Sequence, residues 1–506
     1  MLVRHHRALL AALILALGLR VTAMLGYPPA LLFWADSFAY LKQDLAPGTY
    51  RPAGYSLFLA VLRPAHSLAL VTAIQHLLGL ALAVALYALL RRRGLPGWGA
   101  TLAVLPLLFD EFVILLEHMI MADLLFMVLI SAGVALLIWR VSPATAGVAG
   151  FLVGLAGITR TIGLPVLVLA IGYLLVKRAN WRNVAALALA GAIPLASYAT
   201  WSSDQNGKFA LTGADGAFLW SRTMTFADCS VIKPGTDIAA LCPTMPTDQR
   251  PLPPHWLWDS FSPLQRVDRQ QRNELAQRFA QAAILAQPGD YLRAVGTDLH
   301  QLLRWERTAS REETSRRRNP YWFPFEERPL KNSVKPIAES YEGGPAATRI
   351  VEPYAGWLRH YQRFGYLPFP VLVLILAGTL IAGLRQRRPE VLLPALTAAL
   401  LLVAPSFVAA FDVRYVIPAI PLICLSTALV MARSRASALT APMAVASPNA
   451  AIAQSPTERG EAPQKRSRRR TSGALGRIVG ARTRRLQHRL RRPARRRHHR
   501  APSSRT

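Results

Sequence analysis

Four runs of this chain carry no Asp, Glu, Lys or Arg: Leu9–Leu19, Leu68–Leu90, Leu124–Trp139 and Val371–Leu384. About 20 apolar residues cross the hydrocarbon core of a bilayer as a helix. Backbone groups left unpaired in lipid are costly, so a span must be a helix or a closed barrel strand. The glycines inside the runs, and their length, argue against barrel strands. Hydropathy along the chain predicts spans at 8–25, 66–90, 98–110, 119–139, 145–159, 161–177, 183–201, 366–384, 391–410 and 415–433. The fold class is therefore an all-α polytopic membrane protein of about ten transmembrane helices with a large extracytoplasmic loop domain. Four stretches follow: a transmembrane module over 1–201, a loop or lid domain over 202–365, terminal helices over 366–433 and a basic tail over 434–506. Met1 to Arg20 resembles a signal peptide but lacks a small-residue cleavage site, and reads as an uncleaved first helix.

Arg160 decides the topology. If it interrupts the helix, Arg4–Arg7, Arg91–Arg93, Arg140, Lys177–Arg182, Arg385–Arg388 and the tail all fall on one side. Basic loops favour the cytoplasm. Both termini are then expected to be cytoplasmic, in a multi-pass protein of the plasma (inner) membrane. The first loop (Gly26–Arg51), the Phe109–His118 turn and the long Ser202–Gly365 segment face outward. Within the last, Asp268–Gln287 has helical spacing at Leu275, Phe279, Ala282 and Ala283.

The formal net charge of +31 invites a nucleic-acid reading. Roughly half of that excess lies beyond Pro456, in blocks such as Arg466–Arg470 and Arg491–Arg500. With no aromatic platform beside them, these arginines suit anionic membrane lipids, or else a protein partner, better than nucleic acid. Of three cysteines, Cys424 sits in an apolar run. Cys229 and Cys242 share one polar loop, and are either two free thiols or, in an oxidising compartment, a disulfide.

Ionisable groups at the membrane boundary are functional candidates by default. The predicted outer face collects Asp36, Lys42, Asp44, Arg51, Asp110, Glu111, Glu117, His118, Asp123, Arg160, Asp412 and Arg414; the inner face has almost none beyond its arginines and lysines. Asp36 is either a general base in a partly dry site or the N-cap of a helix starting at Ser37. Arg51 is either a phosphate ligand or a snorkelling interfacial arginine. Arg160 is a second phosphate ligand or half of a structural ion pair, and Asp123 is expected to pair with an arginine. Asp412 and Arg414 can pair with each other. The acids of Asp110–Asp123 show no regular metal-ligand spacing, so no metal is expected. No Walker A, G-x-G-x-x-G or G-x-S-x-G pattern occurs, which removes the motif support for nucleotide-driven transport and serine hydrolysis.

Four short motifs carry a resemblance. Asp36-Ser37…Tyr40 is followed by Arg51-Pro52-Ala53-Gly54-Tyr55; then come Asp123-Leu124-Leu125-Phe126, Thr159-Arg160-Thr161-Ile162-Gly163 and Arg414-Tyr415-Val416-Ile417-Pro418. In that order they resemble the GT-C membrane glycosyltransferases, and within them the branch of protein mannosyltransferases and bacterial aminoarabinose transferases. Ala53, Ser56 and Thr161 stand where that branch has proline. The likeness spans about residues 1–200 and 365–433. It implies transfer of a sugar from a polyprenyl-phosphate donor to an acceptor hydroxyl on a glycan, lipid or protein, with inversion at the anomeric carbon. No cofactor is implied beyond the lipid-linked donor. Asp36 would be the base. Arg51, Tyr55, Arg160, Arg414 and Lys42 would bind donor and phosphate, with Asp44, Glu117 and Asp123 as supporting acids. The alternatives are a transporter or lipid-carrier flippase, which usually shows internal repeats not seen here, and a non-catalytic scaffold.

Overall fold

The computed structural model describes residues 2–42, 46–305 and 321–432. Asp44, much of the charged Arg304–Phe323 stretch and the basic tail lie outside the described residues. The described residues are helical with no strand, apart from a single parallel bridge between Leu31 and Met119. The chain is an all-α, multi-pass membrane protein.

The first helices are α1 (Leu2–Gly26), two short ones, α2 (Trp34–Leu41) and α3 (Gly54–Leu62), then α4 (Leu68–Arg92), α5 (Gly97–Phe109), α6 (Glu111–Glu117) and α7 (Ala122–Trp139). After them come α8 (Pro143–Thr159), α9 (Gly163–Val176) and α10 (Trp181–Asn206). The loop domain contributes α11 (Asp215–Thr223), α12 (Cys229–Ile232), α13 (Pro253–Trp258), α14 (Arg272–Ala286), α15 (Pro288–His300), α16 (Lys335–Glu342) and α17 (Tyr354–Tyr361). The chain returns to the membrane with α18 (Phe369–Arg385), α19 (Pro389–Val408) and α20 (Ile420–Met431).

Each predicted span coincides with a helix. Six are long and apolar enough to cross a bilayer alone; α5 and α6 make a seventh if joined across their 56° bend. The shorter α8, α9 and α18 complete the ten apolar elements. Leu15, Val168, Leu189 and Leu374 are exposed on the outside of the bundle. That costs nothing where the solvent is lipid.

Local chemistry explains the boundaries. Ser67 caps α4 by accepting from the Leu70 amide at 3.1 Å. Ser142 and Thr145 form a capping box at α8, with Pro143 in its first turn, where no amide is needed. Arg160 ends α8 in an extended conformation, and the Gly163 amide bonds its carbonyl at 2.9 Å before α9 begins. The predicted interruption is therefore a real break. α8 and α10 pack backbone to backbone: a Cβ at Gly154 would lie 2.3 Å from the Gly191 carbonyl oxygen. Small residues are what permit that approach.

The loop domain has its own apolar core, built around Trp220, Trp256, Leu264, Phe279 and Ala283. All five are fully or nearly fully buried, and a large apolar side chain so buried contributes about 1.5–3 kcal/mol. The predicted amphipathic helix is α14, starting four residues later than its apolar spacing suggested. Arg222, buried in α11, pairs with Asp298 of α15 at 3.1 Å. The same carboxylate accepts from the Phe411 amide at 2.9 Å, which ties the loop domain to the segment entering α20. Cys229 and Cys242 are joined in a disulfide closing a separation of 13 residues. A loop near that length constrains the unfolded chain by about 3 kcal/mol. Replacing both cysteines by serine is expected to weaken the loop domain by about 2–3 kcal/mol. The measurement is limited proteolysis, with cleavage between Gly207 and Arg304 accelerating while the membrane helices stay protected. Unchanged cleavage would show that the disulfide adds nothing to folding.

Candidate active site

α2 is held at its start by one hydroxyl. Ser37 Oγ accepts from the Phe33 amide at 2.7 Å and donates to the Ile120 carbonyl at 2.8 Å. The helix begins at Trp34, not at Ser37, so Asp36 lies within its first turn and is not its cap. Freed from capping, the Asp36 carboxylate bridges two arginines. Oδ1 accepts from Arg51 Nη2, and Oδ2 from Arg414 Nη1 at 2.5 Å.

Arg414 arrives from the turn before α20. Its Nε lies 3.1 Å from Asp412 Oδ2, and its guanidinium sits over the Phe33 ring at 5.1 Å and the Tyr415 ring at 5.3 Å. Tyr321 of the loop domain donates its hydroxyl to Asp412 Oδ1 and packs against Phe33 at 5.6 Å. Two aromatic faces and two carboxylates thus fix one guanidinium, a planar group suited to such a slot.

Arg51 and Arg160 approach through glycine. A Cβ at Gly54 would stand 2.5 Å from the Ile158 carbonyl oxygen, so only glycine lets the start of α3 touch the end of α8. Arg160 pairs through Nη1 with Asp123 Oδ1 and lies 4.7 Å over the Tyr415 ring. Asp123 Oδ2 is buried with no hydrogen-bond partner among the described residues. Arg51 is covered by Trp258 at 5.6 Å, which itself packs on Tyr50 at 4.7 Å. Three arginines (51, 160, 414) therefore face three carboxylates (36, 123, 412), a formally neutral cluster in a largely buried place.

Burial by itself raises the Asp36 carboxyl; Arg414, Arg51 and, from further off, Arg160 outweigh it and hold the group below its ordinary value of 3.8. Burial, reinforced by the Asp36 charge, pushes the Tyr40 hydroxyl up to about 12, so it stays protonated.

Two cavities adjoin α2. One of about 400 Å³ is lined by Tyr40, Lys42, Tyr50, Arg51, Ser56 and Trp201. The other, about 450 Å³, lies against Phe33, Ala35 and Phe38 and is closed from the loop domain by Trp322, Arg328 and Lys331 among others. Lys42 thus shares the Arg51 cavity. Tyr55 does not open to it: its ring is fully buried, edge-on to Tyr40 at 5.1 Å, and its hydroxyl donates to Gln75 Oε1 at 2.8 Å. Glu117 also stands apart, its carboxylate taken by Arg20 and His76 at 2.9 and 2.8 Å. Asp110 caps α6 by accepting from the Phe112 amide at 3.0 Å.

The structure brings together Asp36, Arg51, Asp123, Arg160, Asp412 and Arg414 from segments far apart in the chain. It adds Phe33, Trp258, Tyr321 and Tyr415, which the sequence did not single out as site residues. Only Tyr415 carried a signal, as part of the Arg414-Tyr415…Pro418 motif.

No protein-family model and no curated protein matches this sequence. Three solved structures of an oligosaccharyltransferase from Archaeoglobus fulgidus align with it. The form tethered to an acceptor peptide has a TM-score of 0.37 at 13% identity, over 83% of this chain and 49% of that one. The form with an inhibitory peptide and a dolichol-phosphate has a TM-score of 0.37 at 14% identity, over 85% and 50%. The apo form gives a TM-score of 0.37 at 13% identity, over 84% and 50%. The chain spans about half the length of these proteins, and at that TM-score the likeness has no weight for activity.

Proposed function

We propose that the protein is a glycosyltransferase of the GT-C type, moving a sugar from a polyprenyl-phosphate donor to an acceptor hydroxyl at the extracytoplasmic face of the plasma membrane. The single observation behind this reading is the Asp36 carboxylate held between Arg51 and Arg414, on a helix whose neighbouring residues line two cavities. The ordered motifs that resemble the mannosyltransferase and aminoarabinose transferase branch support it. So does the positive-inside pattern, from which these loops are expected outside and both termini in the cytoplasm.

In this reading the donor phosphate lies in the Arg51 cavity, near Lys42, with its prenyl chain leaving past Trp201 of α10. The acceptor enters from the cavity lined by Phe38 and the loop domain. The acceptor oxygen attacks the anomeric carbon from the face opposite the phosphate. The bond from that carbon to the phosphate oxygen breaks, its electron pair leaving with polyprenyl phosphate. The acceptor proton passes to Asp36. Arg51, Arg160 and Arg414 offset the negative charge growing on the leaving phosphate, help of a kind often worth several kcal/mol. A carboxylate gripped by two guanidiniums is a weak base. Donor binding corrects this, because the phosphate draws Arg51 and Arg414 toward itself and frees the carboxylate to take a proton.

The test uses membranes containing the protein and a panel of radiolabelled polyprenyl-phosphate sugars, with native acceptors present. Label leaving the polyprenyl-phosphate donor for a glycan, protein or second lipid establishes the reaction; retention on the donor across the whole panel rejects it. The pH dependence follows from the electrostatics. Asp36 is ionised in the free enzyme wherever the pH exceeds a value below 3.8. The profile of kcat/KM, which reports the free enzyme, should therefore show no Asp36 limb between pH 5 and 8, a range well above the ordinary Asp value. The same depressed carboxyl adds stability above its unfolded pKa that is lost only as pH falls through the folded one. A limb near neutrality that vanishes in Asp36→Asn would contradict this.

A further inference from the structure

Four ionisable side chains are almost completely buried in the bundle and have no part in the reaction just described: Arg20 of α1, His76 of α4, Glu117 of α6 and His118 after it. None of them lines either cavity beside α2. Groups of this kind are expensive in a membrane and persist where they do something.

Their contacts run in one direction. Arg20 holds the Glu117 carboxylate with Nε and Nη2 at 2.9 and 3.0 Å, and its Nη1 donates to the Leu108 carbonyl at 2.6 Å. Glu117 Oε2 lies 2.8 Å from His76 Nδ1. His76 Nε2 lies 3.2 Å from His118 Nδ1, and His118 Nε2 lies 2.9 Å from the Tyr27 carbonyl oxygen. From there the backbone takes over. The Leu31 amide bonds the His118 carbonyl and the Ile120 amide bonds the Leu31 carbonyl, both at 3.0 Å. Gln75 Nε2 donates to the Glu117 and Met119 carbonyls at 2.9 and 3.0 Å. The Ile120 carbonyl is the acceptor for Ser37 Oγ, in the first turn of α2.

We propose that the Arg20–Glu117–His76–His118 chain is a positioning unit that pins the α1–α2 connection to the α6–α7 turn and so sets where Asp36 meets Arg414. The proposal rests on the reading of Asp36 given above. Proton inventory sharpens it. A carbonyl only accepts, so His118 must carry its proton on Nε2 and accept at Nδ1. Burial, and then the neighbouring His76, lower the His118 pKa to about 3, in keeping with a neutral ring. His76 must then donate through Nε2. The contact between His76 Nδ1 and Glu117 Oε2 likewise needs a proton between its two atoms, and Arg20 lies against the same carboxyl group. Every link needs a donor, so the loss of one ring opens the chain at a defined place.

The experiment uses the full-length protein in lipid nanodiscs and reads backbone hydrogen exchange by mass spectrometry. His118→Leu removes both links; His118→Gln keeps one donor and one acceptor. Exchange in peptides covering 27–41 and 118–122 is expected to rise about fivefold or more in His118→Leu. His118→Gln should restore most of the protection, with α14 peptides unchanged in both. Wild-type exchange in the leucine variant, no recovery in the glutamine variant, or equal acceleration in α14 would each overturn the proposal. In the transfer assay, His118→Leu should lower kcat with little change in the KM for donor, and His118→Gln should recover kcat. If the wild type transfers nothing, the glycosyltransferase reading fails, while the exchange measurements still decide the positioning role.

Discussion

Asp36→Asn is expected to reduce transfer by about 10²–10⁴-fold, the usual value of a positioned base. The amide is isosteric and its one oxygen can still accept from one of the two arginines, while its nitrogen, a donor, turns toward the other guanidinium. It cannot take a proton from the acceptor. The substitution also leaves two partly buried guanidiniums short of one negative charge, and a donor phosphate would supply it. Donor affinity should therefore hold or improve while turnover is lost. That split, read as kcat against KM with radiolabelled donor, separates a missing base from a broken site. Full transfer by the variant would sink the mechanism, and weakened donor binding with intact turnover would make Asp36 a structural anchor for the arginines.

Arg414→Lys should have the second largest effect, a loss of roughly 10²–10³-fold in kcat, comparable to removing one preorganised donor from a charge-stabilising site. Lysine keeps the charge but not the shape. Arg414 reaches Asp36 with Nη1 while its Nε faces Asp412, and its plane lies on Phe33 and Tyr415. An ammonium is a compact, strongly hydrated point charge and cannot fill that slot. The slot itself should persist, since Tyr321 holds Asp412 from the loop domain. The check is a double-mutant cycle between Arg414→Lys and Asp36→Asn. Strong non-additivity is expected because the two groups touch. Additive losses would show that they act separately.

The membrane fold was legible because lipid allows few solutions. Ten apolar elements could be placed from hydropathy, and the interruption at Arg160 followed from where the basic loops had to lie. The site was legible only as a set of outward ionisable residues in short motifs. Arg51, Arg160 and Arg414 could be named without saying that Asp36 is shared by two of them. What stayed hidden is long-range. Tyr321 and Trp258 reach the site from a loop domain whose packing leaves no mark on any short motif. Glu117 reads as a candidate supporting acid because it lies beside other acids. Its partners, Arg20 and His76, lie 97 and 41 residues away, and nothing local announces them. The start of α2 at Trp34 was missed for a related reason. Asp is a good N-cap in general, and here its side chain has stronger partners than three backbone amides.

The buried guanidinium of Arg20 bears also on how the chain is made. A lone arginine costs up to about 2.5–3.5 kcal/mol on insertion, the upper figure being for the helix centre, and Arg20 lies toward the C-terminal end of α1. Its countercharge on Glu117 is synthesised 97 residues later. The first helix is therefore expected to insert without its partner, with Arg20 reaching toward water or a headgroup, and to gain its ion pair only when the bent pair α5 and α6 follows. Chains truncated before Glu117 should leave that helix readily extractable from the membrane by alkali, and chains ending beyond it should not.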